Sequence, residues 1–179
     1  VTGLIVVDTG SYWNMFGQTI IMILIEIGGL GFMSFTTLIA IILGKKITLR
    51  ERLILQDAMN TFNIQGLVKM VKYVLVFTVS VQFFGALLLS TQFIPEFGFG
   101  KGAFYSLFHS ISAFCNAGFD VLGKGNSLIS FNTNVVVIMV LSILIIIGGL
   151  GFTVWSELYT CKSIRRVSIH SKMVLLITT

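Results

Sequence analysis

The sequence predicts an all-α membrane protein built from repeated helix–re-entrant loop–helix units, of which the chain holds about one and a half. Three observations predict this: the composition, the placement of the charges and an internal repeat. Of 179 residues, 55% are hydrophobic and only 11% charged, against roughly 25% charged in a soluble domain. Mean hydropathy is +0.97, and Phe occurs 16 times while Pro occurs once. A water-soluble fold of this length has no interior large enough to hide that apolar surface. The same composition excludes intrinsic disorder. Cys115 and Cys161 offer neither a disulfide framework nor a metal-binding spacing. No basic segment with a short apolar run opens the chain, so no cleavable leader is read. Both ends have the look of cuts within a longer polypeptide.

The elements follow in order. Residues 1–44 form the end of a first unit: a turn around Thr2 and Gly3, then an apolar span over about 16–43. Residues 45–72 form a connection. Within it Thr48-Leu-Arg-Glu51 matches a capping box, and Leu49, Leu53, Ile54, Leu55, Ala58 and Met59 predict a short amphipathic helix ending near Asn60. That helix either rests on the membrane face or docks a cytoplasmic partner. Residues 73–160 form a second, complete unit: a span over about 73–94 ending at Pro95, a short helix over 103–114, a turn over 115–119 and a span over about 135–158. The short helix, at 12 residues, reaches about 18 Å and cannot cross a hydrocarbon layer of about 30 Å. It enters and returns on one side. Residues 161–179 are a second connection and the start of a third unit.

The cations fix the orientation. Lys45, Lys46, Arg50, Arg52, Lys69 and Lys72 lie between the first and second spans, and Lys162, Arg165, Arg166 and Lys172 follow the third. Ten of the twelve Lys and Arg thus fall on alternate connections, which marks those connections as cytoplasmic. Because these cations flank span ends, the net charge of +5 signals a lipid partner and no nucleic acid. Trp13 with Tyr12, and Trp155 with Tyr159, are read as aromatic anchors at the outer and inner interfaces.

Ile27-Gly-Gly-Leu-Gly-Phe32 recurs as Ile147-Gly-Gly-Leu-Gly-Phe152, an offset of 120. Each copy is preceded by a looser match in the same order. Thr2-Gly3-Leu4 leads to Val7-Asp-Thr-Gly-Ser11, and Ala117-Gly118-Phe119 leads to Val121-Leu-Gly-Lys-Gly125. A unit of span, short external helix, glycine turn and span is the design of a pore loop. The helix directs its partial negative C-terminal end into the bilayer, where it favours a cation. The extended segment beyond turns carbonyl oxygens inward to replace an ion's water, and glycine supplies backbone angles closed to other residues. The repeated Gly28, Gly29, Gly31 and Gly148, Gly149, Gly151 serve either close helix packing or a hinge.

Several runs together resemble a known family: Val1-Thr-Gly-Leu-Ile-Val-Val-Asp-Thr-Gly10, Gly28-Gly-Leu-Gly-Phe32, Gly44-Lys-Lys46 with Leu49-Arg-Glu-Arg52, and Leu107-Phe-His-Ser-Ile-Ser-Ala-Phe-Cys-Asn-Ala-Gly-Phe119. They are similar to the KtrB-type pore subunits of bacterial Ktr potassium uptake systems, in the Trk/Ktr/HKT superfamily. The resemblance covers essentially the whole chain. It implies a multi-pass protein of the bacterial cell membrane with four such units per pore. It also implies a homodimer and a cytoplasmic nucleotide-binding regulatory ring of the KtrA kind. The transported ion would be K⁺, with Na⁺ as an open alternative, and no cofactor would be bound by this chain. The resemblance further implies an ion-selectivity filter at Thr2, Gly3, Asn116, Ala117, Gly118 and Phe119, with K⁺ at backbone carbonyls. One glycine per unit, matched here by Gly3 and Gly118, accompanies potassium preference in the family. The gating elements that the family carries in its third and fourth units are absent here.

Two ionisable residues stand out on their own. Glu26 lies in an apolar span, where an ionisable group is costly and suspect; it is a candidate for the ion path or gating, or a structural partner of another helix. Asp120 follows the filter, where it either concentrates cations or is a solvated loop acid. His109 is read as a packed, hydrogen-bonded histidine. No nucleophile–base spacing and no phosphate-cradling Gly-x-x-x-x-Gly-Lys is present, so no enzyme is predicted. A secondary transporter with broken helices and a membrane anchor for a cytoplasmic complex remain as alternatives. The first would carry inverted repeats, whereas both copies here run in the same direction.

Overall fold

The computed structural model describes residues 3–31, 67–123, 127–151, 154–155, 157 and 169–178. Thr2, the amphipathic stretch 48–60, Tyr159 and Cys161 lie outside them. The regular elements among the described residues are helical: α1 Thr9–Tyr12, α2 Met15–Leu30, α3 Leu67–Phe97, α4 Phe99–Phe114, a 3-10 turn Ser127–Phe131, α5 Val135–Gly149 and α6 Ile169–Thr178. One stretch, Lys72–Phe97 of α3, is long and apolar enough to cross a membrane, and α2 and α5 are shorter apolar helices.

The chain divides into two compact units, Val1–Gly29 with Val79–Gly149, and Leu30–Thr78 with Leu150–Thr179. Of the three points where the chain passes between them, one lies between Thr78 and Val79 and the other two between the second glycine and the leucine of the repeated Gly-Gly-Leu-Gly. The physical reason lies two residues on. Gly31 has φ +78° and Gly151 φ +84°, left-handed angles that end a helix cheaply only without a Cβ. The apolar runs over 16–43 and 135–158 are therefore interrupted: α2 stops at Leu30 and α5 at Gly149.

In the first unit, polarity is turned inward. Gln18, Gln82, Ser106, His109, Ser110 and Ser112 are buried, while Ile23, Leu24, Phe83, Phe84, Leu87, Met139 and Ile143 are exposed. Water penalises an apolar surface of that extent, whereas lipid does not. Two apolar clusters hold the unit together. Leu89, Phe93, Phe114, Phe131, Val137, Val140 and Leu144 form one, and Ile25, Phe108, Ile111, Ala117 and Val121 form the other.

Asn14 starts α2, its Oδ1 accepting from the Gly17 N–H at 2.9 Å. Asn134 does the same for α5 through the Val137 N–H at 3.3 Å, and its amide donates to Gln92 Oε1 at 2.9 Å. The α3 helix runs past Pro95 to Phe97, beyond the stop that the proline predicts. Proline removes one donor, to the carbonyl one turn back, and that carbonyl belongs to the exposed Thr91 near the helix end. A single residue, Gly98 at φ +79°, then separates α3 from α4. Hence α4 begins four residues earlier than the sequence predicts and spans 16 residues, about 24 Å, still short of the bilayer core. It folds back on α3 so closely that a Cβ at Gly102 would sit 2.7 Å from Ile94 Cα and Phe93 O.

The second unit is described more sparsely. Phe77 and Trp155 stack with centroids 4.6 Å apart, and Ser171 Oγ donates to Glu157 Oε2 at 2.8 Å.

Candidate ion-path turn

The candidate site starts at the end of α4. The Ala117 N–H donates to Ser112 O at 2.8 Å and the Asn116 N–H to Ala113 O at 3.1 Å. This is the Schellman closure, with Asn116 in the left-handed position at φ +50°. Cys115 N–H donates to Ile111 O at 2.9 Å, and the Phe114 carbonyl is pressed against Gly148 of α5. The carbonyls of Ile111, Ser112 and Ala113 in the last turn of α4 are thus hydrogen-bonded. Such a helix end carries a partial negative charge that would favour a cation placed beyond it.

The residues beyond α4 belong to no regular element. Ala117 is buried at 1% exposure, whereas Gly118 is exposed with φ +72°. Ser112 Oγ donates to Phe119 O at 2.7 Å, tying the far end of the turn to the last turn of α4. Gly3, at φ +67°, faces this segment: a Cβ there would stand 2.8 Å from Ala117 O and 3.1 Å from Gly118 O. A Cβ on Gly118 would in turn lie 3.5 Å from Gly3 Cα. The repeat-related glycines are therefore neighbours, each in a conformation that favours glycine. The backbones stay together beyond them, where a Cβ on Gly10 would meet Val121 O at 2.6 Å and the main chain of Gly123.

The first-unit turn has its own clamp. Asp8 caps α1, accepting from Gly10 N–H at 3.3 Å and from Ser11 Oγ at 2.6 Å. Gln18 of α2 donates its amide to Thr9 O at 3.3 Å, Gly10 O at 3.3 Å and Trp13 O at 3.0 Å. Such a clamp orients the segment after Gly3 from behind, where an unmade bond would be expensive.

The family model for TrkH, described as a cation transport protein, matches residues 1–177. The chain belongs to the TrkH family. It is 48% identical over 178 residues to the potassium/sodium uptake protein NtpJ of Enterococcus hirae, covering 99% of this chain and 39% of that protein. To the Ktr system potassium uptake protein B of Bacillus subtilis it is 46% identical over 175 residues, covering 98% and 39%. To the protein of the same name in Vibrio alginolyticus it is 37% identical over 180 residues, covering 99% and 39%. The chain therefore spans about two-fifths of the length of these curated relatives. They are named as uptake proteins for potassium or for potassium and sodium, not as enzymes.

The remaining sequence-predicted residues of this TrkH-family chain are distributed as follows. Glu26 of α2 accepts from Gln82 Nε2 at 2.7 Å and from Cys115 Sγ at 3.6 Å. Gly29 lies directly against Cys115, and a Cβ on Gly149 would come within 3.6 Å of Asn116 Nδ2. Gly28 is exposed near the end of α2, and Asp120 is half-buried. His109 is 2% exposed, its Nδ1–H donating to Tyr105 O at 2.7 Å and its ring edge-on to Phe93. Tyr12 and Trp13 are exposed and pack edge-on, with centroids 5.2 Å apart. Gln18, Gln82, Ser110 and Ser112 were missed. The signal was present: an uncharged polar side chain in an apolar span needs a partner, as Glu26 does.

Proposed function

We propose that the whole protein is the potassium-translocating subunit of a Ktr/Trk-type uptake system, multi-pass in the bacterial cell membrane. Residues 115–119 and the turn at Thr2-Gly3 contribute two of the pore-lining segments. K⁺ sheds part of its water and is carried past backbone oxygens, with Na⁺ the ion to be discriminated against. The membrane potential supplies about 2.3 kcal/mol per charge per 100 mV.

The observation that carries this reading is the apposition of Gly3 and Gly118. Both have positive φ, at matching places in a repeat, with the Ala117 and Gly118 oxygens facing the space a Cβ at Gly3 would fill. Glycine at residue 3 lets the two turns approach this closely without displacing those oxygens. Ser112, Gln18 and the Schellman closure hold them against collapse. Residue 148 and its neighbours set the depth of α4. A homodimer and a KtrA-like cytoplasmic nucleotide-binding ring complete the proposed assembly, on the resemblance to Ktr subunits. The breaks at Gly31 and Gly151 are a feature of broken-helix transporters too, but the two copies follow the same order along the chain and are not inverted.

The test is ion competition in the whole protein. Gly118→Ser puts a Cβ on a backbone at φ +72° and should weaken discrimination against sodium. Unchanged K⁺/Na⁺ preference and unchanged growth on low potassium would remove the assignment.

A further inference from the structure

We propose that Glu26 is a positioning residue for the ion-path turn, acting through Gln82 and Cys115 to fix the point where α4 hands over to residues 117–119. This rests on the filter reading above and adds to it a control from a neighbouring helix.

Three side chains from three elements close a triangle. Glu26 Oε2, on α2, accepts from Gln82 Nε2 of α3 at 2.7 Å and from Cys115 Sγ, the C-cap of α4, at 3.6 Å. Gln82 Nε2 and Cys115 Sγ are themselves 3.9 Å apart. Gln82 is 4% exposed, and its main-chain carbonyl accepts from Ser110 Oγ at 2.7 Å, so α4 is tied to α3 at a second point one turn above. On its other flank Cys115 is pressed against the backbone of Gly29, one turn along α2 from Glu26. Cys115 is thus gripped twice by the same helix, once by a side chain and once by a glycine. Any displacement of α2 is delivered to Cys115, and from there to Asn116 and Ala117, whose amides close α4.

The chemistry calls for an oxygen acceptor at residue 26, because both facing groups, an amide and a thiol, are donors. A carboxylate oxygen accepts from both at once, and so does the amide oxygen of glutamine. A carboxylate placed to attract a passing cation works by its charge, which glutamine lacks. The two roles therefore separate on one substitution.

The experiment uses the whole protein in vesicles, with potassium and sodium uptake measured for Glu26→Gln, Glu26→Ala, Cys115→Ala and the double variant Glu26→Ala/Cys115→Ala. Positioning predicts that Glu26→Ala shifts the K⁺/Na⁺ preference by about tenfold, the order of one lost buried hydrogen bond, and that Glu26→Gln rescues it. Cys115→Ala should shift it in the same direction, and the double variant no further than the larger single one. Glu26→Gln losing uptake as fully as Glu26→Ala overturns the proposal in favour of a charge on the ion path. Wild-type preference in Glu26→Ala also overturns it. Should Glu26→Ala fail to assemble, Glu26→Gln and Cys115→Ala decide alone: positioning requires the first to keep the preference and the second to shift it. Gly118→Ser is run alongside. Its failure to alter preference sinks the filter reading and this proposal with it, whereas an altered Gly118→Ser beside an unaltered Glu26→Ala sinks only the role of Glu26.

Discussion

Alanine at Gly148 drives a methyl group into the main chain of Phe114. The added Cβ overlaps the Phe114 oxygen and stands 2.8 Å from its carbonyl carbon and 3.2 Å from its Cα, where ordinary contact begins at 3.4 Å. The obstacle cannot rotate aside. Phe114 ends α4, and Cys115 and Ala117 beside it are pinned by N–H hydrogen bonds of 2.9 and 2.8 Å to the carbonyl oxygens of Ile111 and Ser112. Relief means separating α4 from α5 by about 1 Å within a packed layer, an overpacking that costs about 1–3 kcal/mol. The layer includes Phe114, Val137, Val140 and Leu144. Gly151→Ala is the control. Among the described residues it meets nothing within 4 Å, but it sits at φ +84°, so it carries about 1–2 kcal/mol of backbone strain without pressing on α4. Thermal unfolding of the purified whole protein should show both variants destabilised. Ion competition should show altered K⁺/Na⁺ preference in Gly148→Ala alone. A Gly148→Ala protein with wild-type melting and wild-type preference would refute the reasoning, as would a Gly151→Ala protein whose preference changes equally.

Three further substitutions probe the supports of the turn. Ser112→Ala removes the 2.7 Å bond to Phe119 O and should cost about 1–2 kcal/mol, read by thermal unfolding, together with weaker potassium uptake at low concentration. Asn134→Ala removes the cap of α5 and the bond to Gln92; about 1–2 kcal/mol of stability should go, with ion preference retained. Gly102→Val opens the α3–α4 corner, where even a Cβ falls 2.7 Å from Phe93 O and Ile94 Cα. It should destabilise by 1–3 kcal/mol or more, about the cost of overpacking, seen as loss of folded protein in detergent.

The all-helical class was legible because apolar runs and alternating cation clusters need no tertiary information. The place of α4 was legible as an apolar stretch too short to span, though its first turn was not. That turn depends on Gly98 at φ +79°, and a glycine's sequence context does not disclose which side of the Ramachandran map it takes. Pro95 gives a false stop for a related reason: it lies two residues from the end of α3, where it forgoes a single bond, to the carbonyl of the exposed Thr91. The repeat pointed to Gly3 and Gly118 together, yet not to their contact, which depends on the fold-back of α4 and on Gln18 reaching three carbonyls at once. For the paired Gly-Gly-Leu-Gly motifs the sequence left packing and hinge as alternatives. Among the described residues, Gly29 and Gly148 lie against the end of α4, whereas Gly31 and Gly151 have no neighbour within 4 Å and positive φ, so we propose packing for the first pair and a bend for the second. Periodicity alone cannot make that division, because both roles ask for the same missing side chain. Glu26 was suspect from its setting, but its partners Gln82 and Cys115 are 56 and 89 residues away in sequence.

Rubidium influx into vesicles carrying the whole protein, competed by potassium and by sodium, measures the central claim most directly when wild type and Gly118→Ser are compared. Potassium should compete at concentrations about tenfold or more below those of sodium in the wild type, a difference of at least 1.4 kcal/mol, and Gly118→Ser should narrow that gap. Equal competition by the two ions in the wild type, or a gap untouched by the serine, would contradict it.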